Sequence, residues 1–272
     1  MPELPEVETI RRQLRPRLLG RTIIEAGSHP SAKFTPATAT TGASIVDVGR
    51  RGKYLLIELD DGRELVIHLG MTGRIAFRTG PPDDDHPHLR AWWALGEGSA
   101  TLEIMEFIDA RRFGRLRVVA TGDYRSIPTL ATAGPEPWDP DLTPERFWQA
   151  IHGSSRPIKT QLLSQKPVAG VGNIYADEAL WMAEINPIRR TLGIERATRL
   201  LDAVQIVMHQ GIEAGGTTLR DYRNADGEQG ANQHELAAYG RAGLPCLRCG
   251  EPLRSRVIDA RTTVWCIACQ RH

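Results

Sequence analysis

Two stretches of the sequence carry residues that could do chemistry, and the more specific one lies near the carboxyl end. Cys246 and Cys249 form one CxxC pair, and Cys266 and Cys269 form a second. Two such pairs can place four thiolates around one Zn²⁺. All four cysteines of the chain lie in these pairs, which makes disulfides or inert buried thiols the weaker alternatives. Because protein ligands fill the site, we expect a structural zinc that folds a short finger.

The amino-terminal stretch MPELPEVETI is the second candidate. If Met1 is removed, Pro2 carries a free secondary amine. Such an amine can attack a sugar C1′ or an aldehyde and give an iminium, while the neighbouring Glu3 moves protons. Many proteins begin with Met-Pro for no chemical reason, so this position alone leaves both interpretations open.

The residues that follow Pro2 and Glu3 predict a helix that begins at Pro5, a residue well suited to a first helical position. The apolar residues have helical spacing at Val7, Ile10 and Leu14. The acids Glu6 and Glu8 suit the first turn, and the arginines Arg11 and Arg12 suit the last turn.

The elements that must position both candidates fall into two classes along the chain. Eight short runs rich in β-branched, aromatic and leucine residues occupy roughly the first 120 residues, which is typical of a sandwich or barrel: TIIEAGS, ASIVDVG, KYLLIEL, ELVIHL, RIAFR, LRAWWAL, TLEIMEF and RLRVVA. The Pro-rich stretch 133–144 indicates a linker. Runs with helical period follow it: PERFWQAIH, RPIKTQLLSQ, GNIYADEALWMAEI and ERATRLLDAVQIVMHQGIEAG. LRSRVID and TTVWC predict a β-hairpin between the cysteine pairs, with Arg261 near its turn.

Composition excludes some classes of protein. The chain of 272 residues is long enough for two domains, and no apolar run reaches the ~18 residues of a membrane span. The amino terminus lacks the basic segment followed by an apolar run that marks a secretory signal, so we expect a cytoplasmic protein. The net charge of +1 predicts no global field for a polyanion. However, six arginines lie beyond position 239 against only Glu251 and Asp259, which is compatible with a patchy nucleic-acid footprint.

Three further segments each have two interpretations. VAGVGNIYADEAL fits a helix–turn–helix whose glycine joint presents N–H groups to phosphate, or an ordinary helix hairpin. HLGMTG and DARRFG place Met71 and Phe113 at strand ends, where they are either wedges for a base stack, with Arg111 alongside, or side chains that pack inward. From the pattern alone, inward packing is favoured. The loop DDDHPH is interpreted as solvated and acidic rather than as a metal site.

Together these segments resemble the formamidopyrimidine-DNA glycosylases, which are bifunctional base-excision repair enzymes. The matching segments occur in the family's order over essentially the whole chain: MPELPEVET, GRRGKYLL, HLGMTG, DARRFG, GVGNIYADE, GGTTLRDY, YGRAGLPC and the CxxC…CxxC tail. The resemblance implies an α+β multidomain protein with a β-sandwich catalytic domain at 1–132. A linker and helix-two-turn-helix domain follow at 133–235, and a zinc β-hairpin finger at 236–272.

The implied activity is excision of oxidised purines, such as 8-oxoguanine and formamidopyrimidines, from damaged double-stranded DNA in a cleft between the domains. Cleavage of the abasic site by β,δ-elimination through a Schiff base would follow. The implied form is a monomer, in a bacterial cytoplasm and associated with the nucleoid when bound to DNA. One structural Zn²⁺ is the implied cofactor.

The resemblance also implies roles for individual residues. Pro2 is the nucleophile at C1′, Glu3 is the proton donor at the sugar and Glu6 is a nearby helper. Lys53 donates a proton in β-elimination, and Arg261 holds the lesion's phosphates and acts in δ-elimination.

The remaining matched positions are DNA contacts. Met71, Arg111 and Phe113 fill the hole left by the flipped nucleotide. The positions that contact phosphate or neighbouring DNA are His68, His86, Lys159, Asn173 and Tyr239. The loop that closes over the everted base runs from Thr217 to Tyr222 and includes Thr218 and Arg220.

The chain departs from the family pattern at three positions: Ala110 replaces a usual proline, Asn232 replaces an apolar or aromatic residue, and Ser154 stands where some members have a lysine. Two alternatives remain open. Endonuclease VIII-like glycosylases, which prefer oxidised pyrimidines, typically have glycine where this chain has Leu4 and lack the wedge residues. A non-catalytic zinc-finger DNA-binding protein would not need the catalytic candidates that this chain retains.

Overall fold

The computed structural model describes residues 1–83, 85–96 and 102–271. Its tertiary contacts define two compact units, Met1–Ala131 with Gly215–Ala231 and Thr132–Ala214 with Asn232–His272. The segment Gly215–Ala231 thus belongs with the amino-terminal unit, although it follows most of the second unit in sequence. The domain boundaries after residues 132 and 235 follow chain order and stay predictions.

The first unit is a β-sandwich with a helix at its amino terminus. One antiparallel sheet has the strand order β1-β6-β7-β5, and the other has the order β2-β3-β4-β8. The strands are β1 (Thr22–Ser28), β2 (Ile45–Arg51), β3 (Tyr54–Leu59), β4 (Arg63–His68), β5 (Arg74–Thr79), β6 (Leu89–Gly96), β7 (Glu103–Ile108) and β8 (Arg115–Ala120). All eight predicted strands are therefore confirmed, and a short 3₁₀ helix, Thr35–Thr40, lies between β1 and β2.

Helix α1 (Leu4–Leu18) packs on β2 and β3 through the apolar residues that predicted it. It begins one residue earlier and ends much later than expected, so Arg11 and Arg12 lie in its middle, and their placement in its last turn was wrong. The helix continues through Pro16, which lacks an N–H to donate. Burial of Leu14 and Leu18 on either side offsets that missing hydrogen bond.

The second unit is helical and ends in a small hairpin. Its helices are α3 (Pro144–His152), α4 (Ile158–Leu163), α5 (Asn173–Met182) and α6 (Ile194–Glu213), while the one-turn helix α2 (Pro128–Ala131) closes the first unit. Helices α3 and α5 both pack on α6. Strands β9 (Arg254–Ile258) and β10 (Arg261–Trp265) form the antiparallel hairpin that was expected between the cysteine pairs. Among the described residues, no helix is long and apolar enough to span a membrane.

Candidate functional site

The start of α1 holds the candidate nucleophile in a defined place. Glu3 is the N-cap residue, and with Glu6 it forms a capping box in which the Glu3 N–H donates to Glu6 Oε2 at 2.7 Å. Both glutamates are buried. Pro2 therefore lies directly before a capped helix terminus, where the macrodipole favours negative charge and opposes positive charge.

The Glu6 carboxylate also holds the loop that the family resemblance assigns to the everted base. The Thr217 N–H donates to Glu6 Oε1 at 2.7 Å. The Tyr222 hydroxyl donates to the carbonyls of Glu6 and Gly215, at 3.4 and 3.2 Å. Glu6 is thus a shared acceptor for the Glu3 and Thr217 main chains, a positioning role that the sequence did not reveal.

Within this loop, the predicted contact residues divide into buried and exposed ones. Thr218 is buried, and its hydroxyl accepts the Gly230 N–H at 2.9 Å and donates to the Tyr222 carbonyl at 3.2 Å. Arg220 lies at the exposed tip. The two threonines therefore brace the loop, and Arg220 is the member of the predicted set that faces solvent.

The turn between β2 and β3 positions Lys53, which is largely buried. Arg50 donates to the Gly52 carbonyl at 3.0 Å and to Glu8 Oε2 at 3.1 Å, which ties the turn to α1. Burial acts to raise the pKa of Glu8, but Arg11 and Arg50 lower it to about 2. Sequence reasoning missed this Glu8–Arg50 link, because Glu8 was explained by the helix dipole alone.

His68 closes strand β4 beside the same turn. Its Nδ1 accepts the Gly70 N–H at 3.2 Å, and its ring lies 4.8 Å from that of Tyr54. Burial, with smaller contributions from the charges of Lys53 and Arg115, lowers the pKa of His68 to about 4. The imidazole is therefore neutral near pH 7, with its proton on Nε2, and can donate one hydrogen bond to an anion.

The two glycine-containing loops bring the candidate wedge residues to the surface. Met71 is 40% exposed and Phe113 is 48% exposed, so the alternative of inward packing is wrong. The Arg111 guanidinium lies 5.0 Å from the centre of the Phe113 ring. The loops touch, since a Cβ at Gly70 would lie 2.5 Å from the Gly114 nitrogen.

A buried carboxylate supports these exposed tips. Asp109 accepts the Thr72 hydroxyl proton at 2.6 Å and the Gly114 N–H at 2.7 Å. It also accepts the Arg111 N–H at 3.3 Å. Exposed apolar side chains on a braced loop are suited to binding rather than to packing.

The loop at 83–88 contains His86, which is partly exposed and whose Nδ1 accepts the His88 N–H at 3.1 Å. Asp84 lies outside the described residues. In the part of the chain that the structure describes, the four cysteines are the one group of histidine, cysteine and acidic side chains arranged to hold a metal. The proposed contact between His86 and DNA stays a prediction.

Three predicted phosphate contacts lie in the second unit. Asn173 begins α5, and its Nδ2 donates to the Thr262 carbonyl at 3.1 Å. The Tyr239 N–H donates to Glu178 Oε1 at 2.7 Å. Lys159 requires a correction, because its side chain is fully buried and its Nζ lies 2.6 Å from Asp177 Oδ1. This structure leaves the Lys159 ammonium no access to a phosphate.

Arg261 stands where the hairpin predicts it, at the first position of β10. It follows Asp259 and Ala260, which form the turn with φ angles of 47° and 58°. The Arg261 side chain is exposed, and its Nη1 donates to the Ala260 carbonyl at 3.3 Å. The guanidinium is thus presented to solvent from a tight turn.

The four cysteines meet the geometric requirement of a tetrathiolate zinc centre. Their sulfurs all lie within 4.8 Å of one another, and Cys249 Sγ is 3.5 Å from Cys266 Sγ. Tetrahedral Zn–S bonds place sulfurs about 3.8 Å apart. The Trp181 indole N–H donates to Cys246 Sγ at 3.4 Å, so α5 supports the site from outside. The residues fit one structural Zn²⁺ with no position left for a substrate.

Comparisons with known proteins agree with this arrangement. A family model described as the formamidopyrimidine-DNA glycosylase N-terminal domain matches residues 1–116, and one described as the H2TH domain of that enzyme matches residues 133–223. The chain is 47% identical to a formamidopyrimidine-DNA glycosylase of Thermus thermophilus, over 99% of this chain and 98% of that protein. It is 44% identical to one of Deinococcus radiodurans, over 99% and 97%.

Solved structures give the same result. The crystal structure of the MutM (Fpg) protein of Thermus thermophilus superposes with a TM-score of 0.89 at 47% identity, covering 99% of this chain and 98% of that chain. A complex between Lactococcus lactis Fpg and DNA containing an abasic site has a TM-score of 0.87 at 32% identity, covering 99% and 100%.

Proposed function

Since the chain belongs to the formamidopyrimidine-DNA glycosylase family, we propose that it excises oxidised purines from duplex DNA and then cleaves the abasic site. The observation that carries this proposal is the whole-chain match to the family together with the Pro2-Glu3 pair at a capped helix start. Relatives named formamidopyrimidine-DNA glycosylase occur in several bacteria. We accordingly propose that the protein acts as a monomer in the bacterial cytoplasm and is associated with the nucleoid when bound to DNA.

The chemistry begins at the amino terminus. Loss of Met1 converts the Pro2 peptide nitrogen, which has no basic lone pair, into a secondary amine. The amine attacks C1′ of the damaged nucleotide, and the base leaves with the electrons of the glycosidic bond. Once the nitrogen has lost its proton, the C1′–O4′ bond breaks and the nitrogen lone pair forms the iminium. Glu3 supplies the proton that opens the sugar ring.

Two eliminations then cut the strand on both sides of the lesion. In the first, the iminium acidifies C2′, whose proton is lost as the 3′ phosphate leaves, with Lys53 as proton donor. In the second, C4′ loses a proton and the 5′ phosphate leaves C5′, with Arg261 holding that phosphate. Hydrolysis of the remaining imine frees Pro2. The Lys53 turn and α1 are tied together through Arg50 and Glu8, which supports a fixed geometry for these steps.

Access to C1′ requires the nucleotide to leave the base stack, at a cost of a few kcal/mol. Met71, Phe113 and Arg111 are exposed together on braced loops and are suited to fill the gap. The neutral Nε2–H of His68 and the Asn173 end of α5 offer donors for backbone phosphates. When bound to Cys246, Cys249, Cys266 and Cys269, zinc supplies folding energy for the finger that carries Arg261.

Borohydride trapping tests the proposal. Protein lacking Met1 is incubated with duplex DNA carrying 8-oxoguanine opposite cytosine, and a covalent adduct is expected that Pro2→Gly abolishes. Protein that retains Met1 should form none, because its Pro2 nitrogen is an amide. No adduct with the processed protein would contradict the enzymatic function, and adducts formed only on oxidised pyrimidines would assign the chain to the endonuclease VIII-like enzymes.

A further inference from the structure

Lys159 is the largest departure of the structure from the expected DNA contacts. Its side chain extends from α4 into the interior of the second unit, where it is fully buried. The ammonium pairs with Asp177 Oδ1 at 2.6 Å and donates to Thr263 Oγ1 at 2.9 Å and to the Thr262 carbonyl at 3.2 Å. Thr262 and Thr263 lie on strand β10 of the finger.

Asp177, on α5, reaches the same strand. Its Oδ2 accepts the Val264 N–H at 3.0 Å, three residues beyond Arg261. Burial raises the pKa of Asp177 and Lys159 opposes that effect, so the ammonium favours the carboxylate form. The pair therefore contacts the main chain of Thr262 and Val264 and the side chain of Thr263.

The residues before Arg261 are held by α4, and α5 adds a further contact after it. Thr160, next to Lys159, donates its hydroxyl proton to the Asp259 carboxylate in the hairpin turn. Asn173 donates to the Thr262 carbonyl that Lys159 also contacts. Every one of these bonds ends within three residues of Arg261, although the Arg261 side chain itself is exposed.

The buried ion pair between Lys159 and Asp177 has a large effect on the stability of the folded protein when only one partner is removed. Removing one partner of a buried ion pair leaves the other charge unpaired and is strongly destabilising, whereas replacing both is often tolerated. A buried ammonium that is already paired and hydrogen-bonded would lose these bonds if it moved to a phosphate. The arrangement is suited to holding a strand in place.

We propose that Lys159 and Asp177 form a buried positioning pair that sets the place of Arg261 on the finger hairpin, and that Lys159 does not itself contact DNA. This inference rests on the proposed function, in which Arg261 acts in the second elimination. It predicts that loss of either partner changes the products of strand cleavage, and that any effect on phosphate contacts is the same whichever partner is lost.

The test compares Lys159→Met, Asp177→Asn and the double variant with Lys166→Met, which removes an exposed lysine of the same unit. Full-length zinc-loaded proteins cleave duplex DNA with a preformed abasic site under single-turnover conditions. We expect the ratio of δ- to β-elimination product to fall roughly 10- to 100-fold in all three variants, the range for a misplaced catalytic group, and to stay unchanged in Lys166→Met. Zinc content should equal that of the wild type.

Duplex affinity measured against salt concentration separates this role from a phosphate contact. A positioning pair acts on the slope of log K against log salt only through Arg261, so Lys159→Met and Asp177→Asn should show the same slope. A direct contact would lower the slope by about one in Lys159→Met and not in Asp177→Asn, which would overturn the proposal. An unchanged product ratio in the zinc-loaded double variant would overturn it too.

Two further outcomes are decisive. The double variant buries no unpaired charge, so zinc loss from it as well would overturn the proposal by showing that the pair folds the finger. Wild-type protein that fails to cleave the abasic site would contradict the proposed function instead. In that case the salt dependence of duplex binding alone decides the role of Lys159.

Discussion

At the scale of single residues, Glu6 shows how one carboxylate can connect a reacting group to a binding loop. Its two oxygens accept main-chain N–H groups of Glu3 and Thr217, and the side chain is buried. A buried N–H group that loses its acceptor costs about 1–3 kcal/mol. Both segments are therefore held in place by the same carboxyl group.

Glu6→Gln tests this connection, because an amide has one oxygen and its NH₂ group would face an N–H donor. We expect single-turnover excision of 8-oxoguanine to fall roughly 10- to 100-fold, and cleavage of a preformed abasic site to fall as well, since Glu3 and Pro2 shift. Glu195→Gln, at an exposed position in the first turn of α6, is the matched control. Normal rates in Glu6→Gln would refute the connection.

His68 gives a prediction about pH. Its pKa is about 4 in the folded protein and about 6.5 in an unfolded chain, so the unfolded state binds more protons between these values. Stability therefore falls as the pH drops from about 6.5 to 4. In His68→Gln, the melting temperature should decline less between pH 7 and pH 5 than in the wild type, whereas the exposed His209→Gln should match the wild type. An equal decline in all three proteins would argue against a buried neutral His68.

At the scale of structural elements, the loops after β4 and β7 combine rigidity with apolar exposure. Asp109 fixes the second loop by accepting a hydroxyl proton and two N–H groups, and Gly70 and Gly114 let the loops touch. Met71 and Phe113 contribute little to the core from these positions. Their substitution should therefore affect DNA distortion rather than folding.

Phe113→Ala is expected to leave the melting temperature within about 1 °C, because surface substitutions usually change stability by less than 0.5 kcal/mol. Excision of 8-oxoguanine opposite cytosine should fall roughly tenfold, since a wedge residue offsets part of the few kcal/mol of unstacking. Single-turnover kinetics measures this, with Val46→Ala as an exposed apolar control in the same unit. A large loss of stability with unchanged excision would mean that Phe113 serves packing.

At the scale of the whole molecule, the β-sandwich and the finger depend on different forces. The core of the first unit consists of buried side chains from α1 and both sheets, with Ala225 from the returning segment. The buried core of the finger consists of Cys246, Leu253, Val264 and Cys266, with Trp181 packed against it. Two of these four residues are zinc ligands, so the finger relies on the metal far more than the sandwich does.

Removal of zinc should therefore disrupt the finger and leave the β-sandwich folded. After complete chelation we expect duplex affinity to fall, because Arg261 and its hairpin lose their support, while the β-sandwich keeps its secondary structure. Titration of labelled duplex and far-ultraviolet circular dichroism measure the two effects, and restored zinc should restore binding. Tight duplex binding by fully zinc-free protein would show that the finger is not needed for affinity.

The fraction of the fold that could be predicted was large, because its signals are local. The leucine, isoleucine and tyrosine residues of β3 and the turn residues around it predicted a strand, and the CxxC spacing predicted the metal-binding group. The end of α1 was missed for a non-local reason. Pro16 normally argues against a helix, and the sequence does not show that Leu14 and Leu18 would both be buried against the sandwich.

The amino-acid sequence by itself determined which reactive groups exist and near which strand or helix ends they lie: Pro2-Glu3 before a helix, Lys53 at the start of a strand, Arg261 on a hairpin and four cysteines in pairs. Tertiary structure alone decided which of the charged groups are buried and with whom they pair. It turned Lys159 inward to Asp177, joined Glu6 to Thr217 and tied Arg50 to Glu8. The physical reason is that periodicity and turn preference act over a few residues, whereas burial and ion pairing depend on segments distant in sequence.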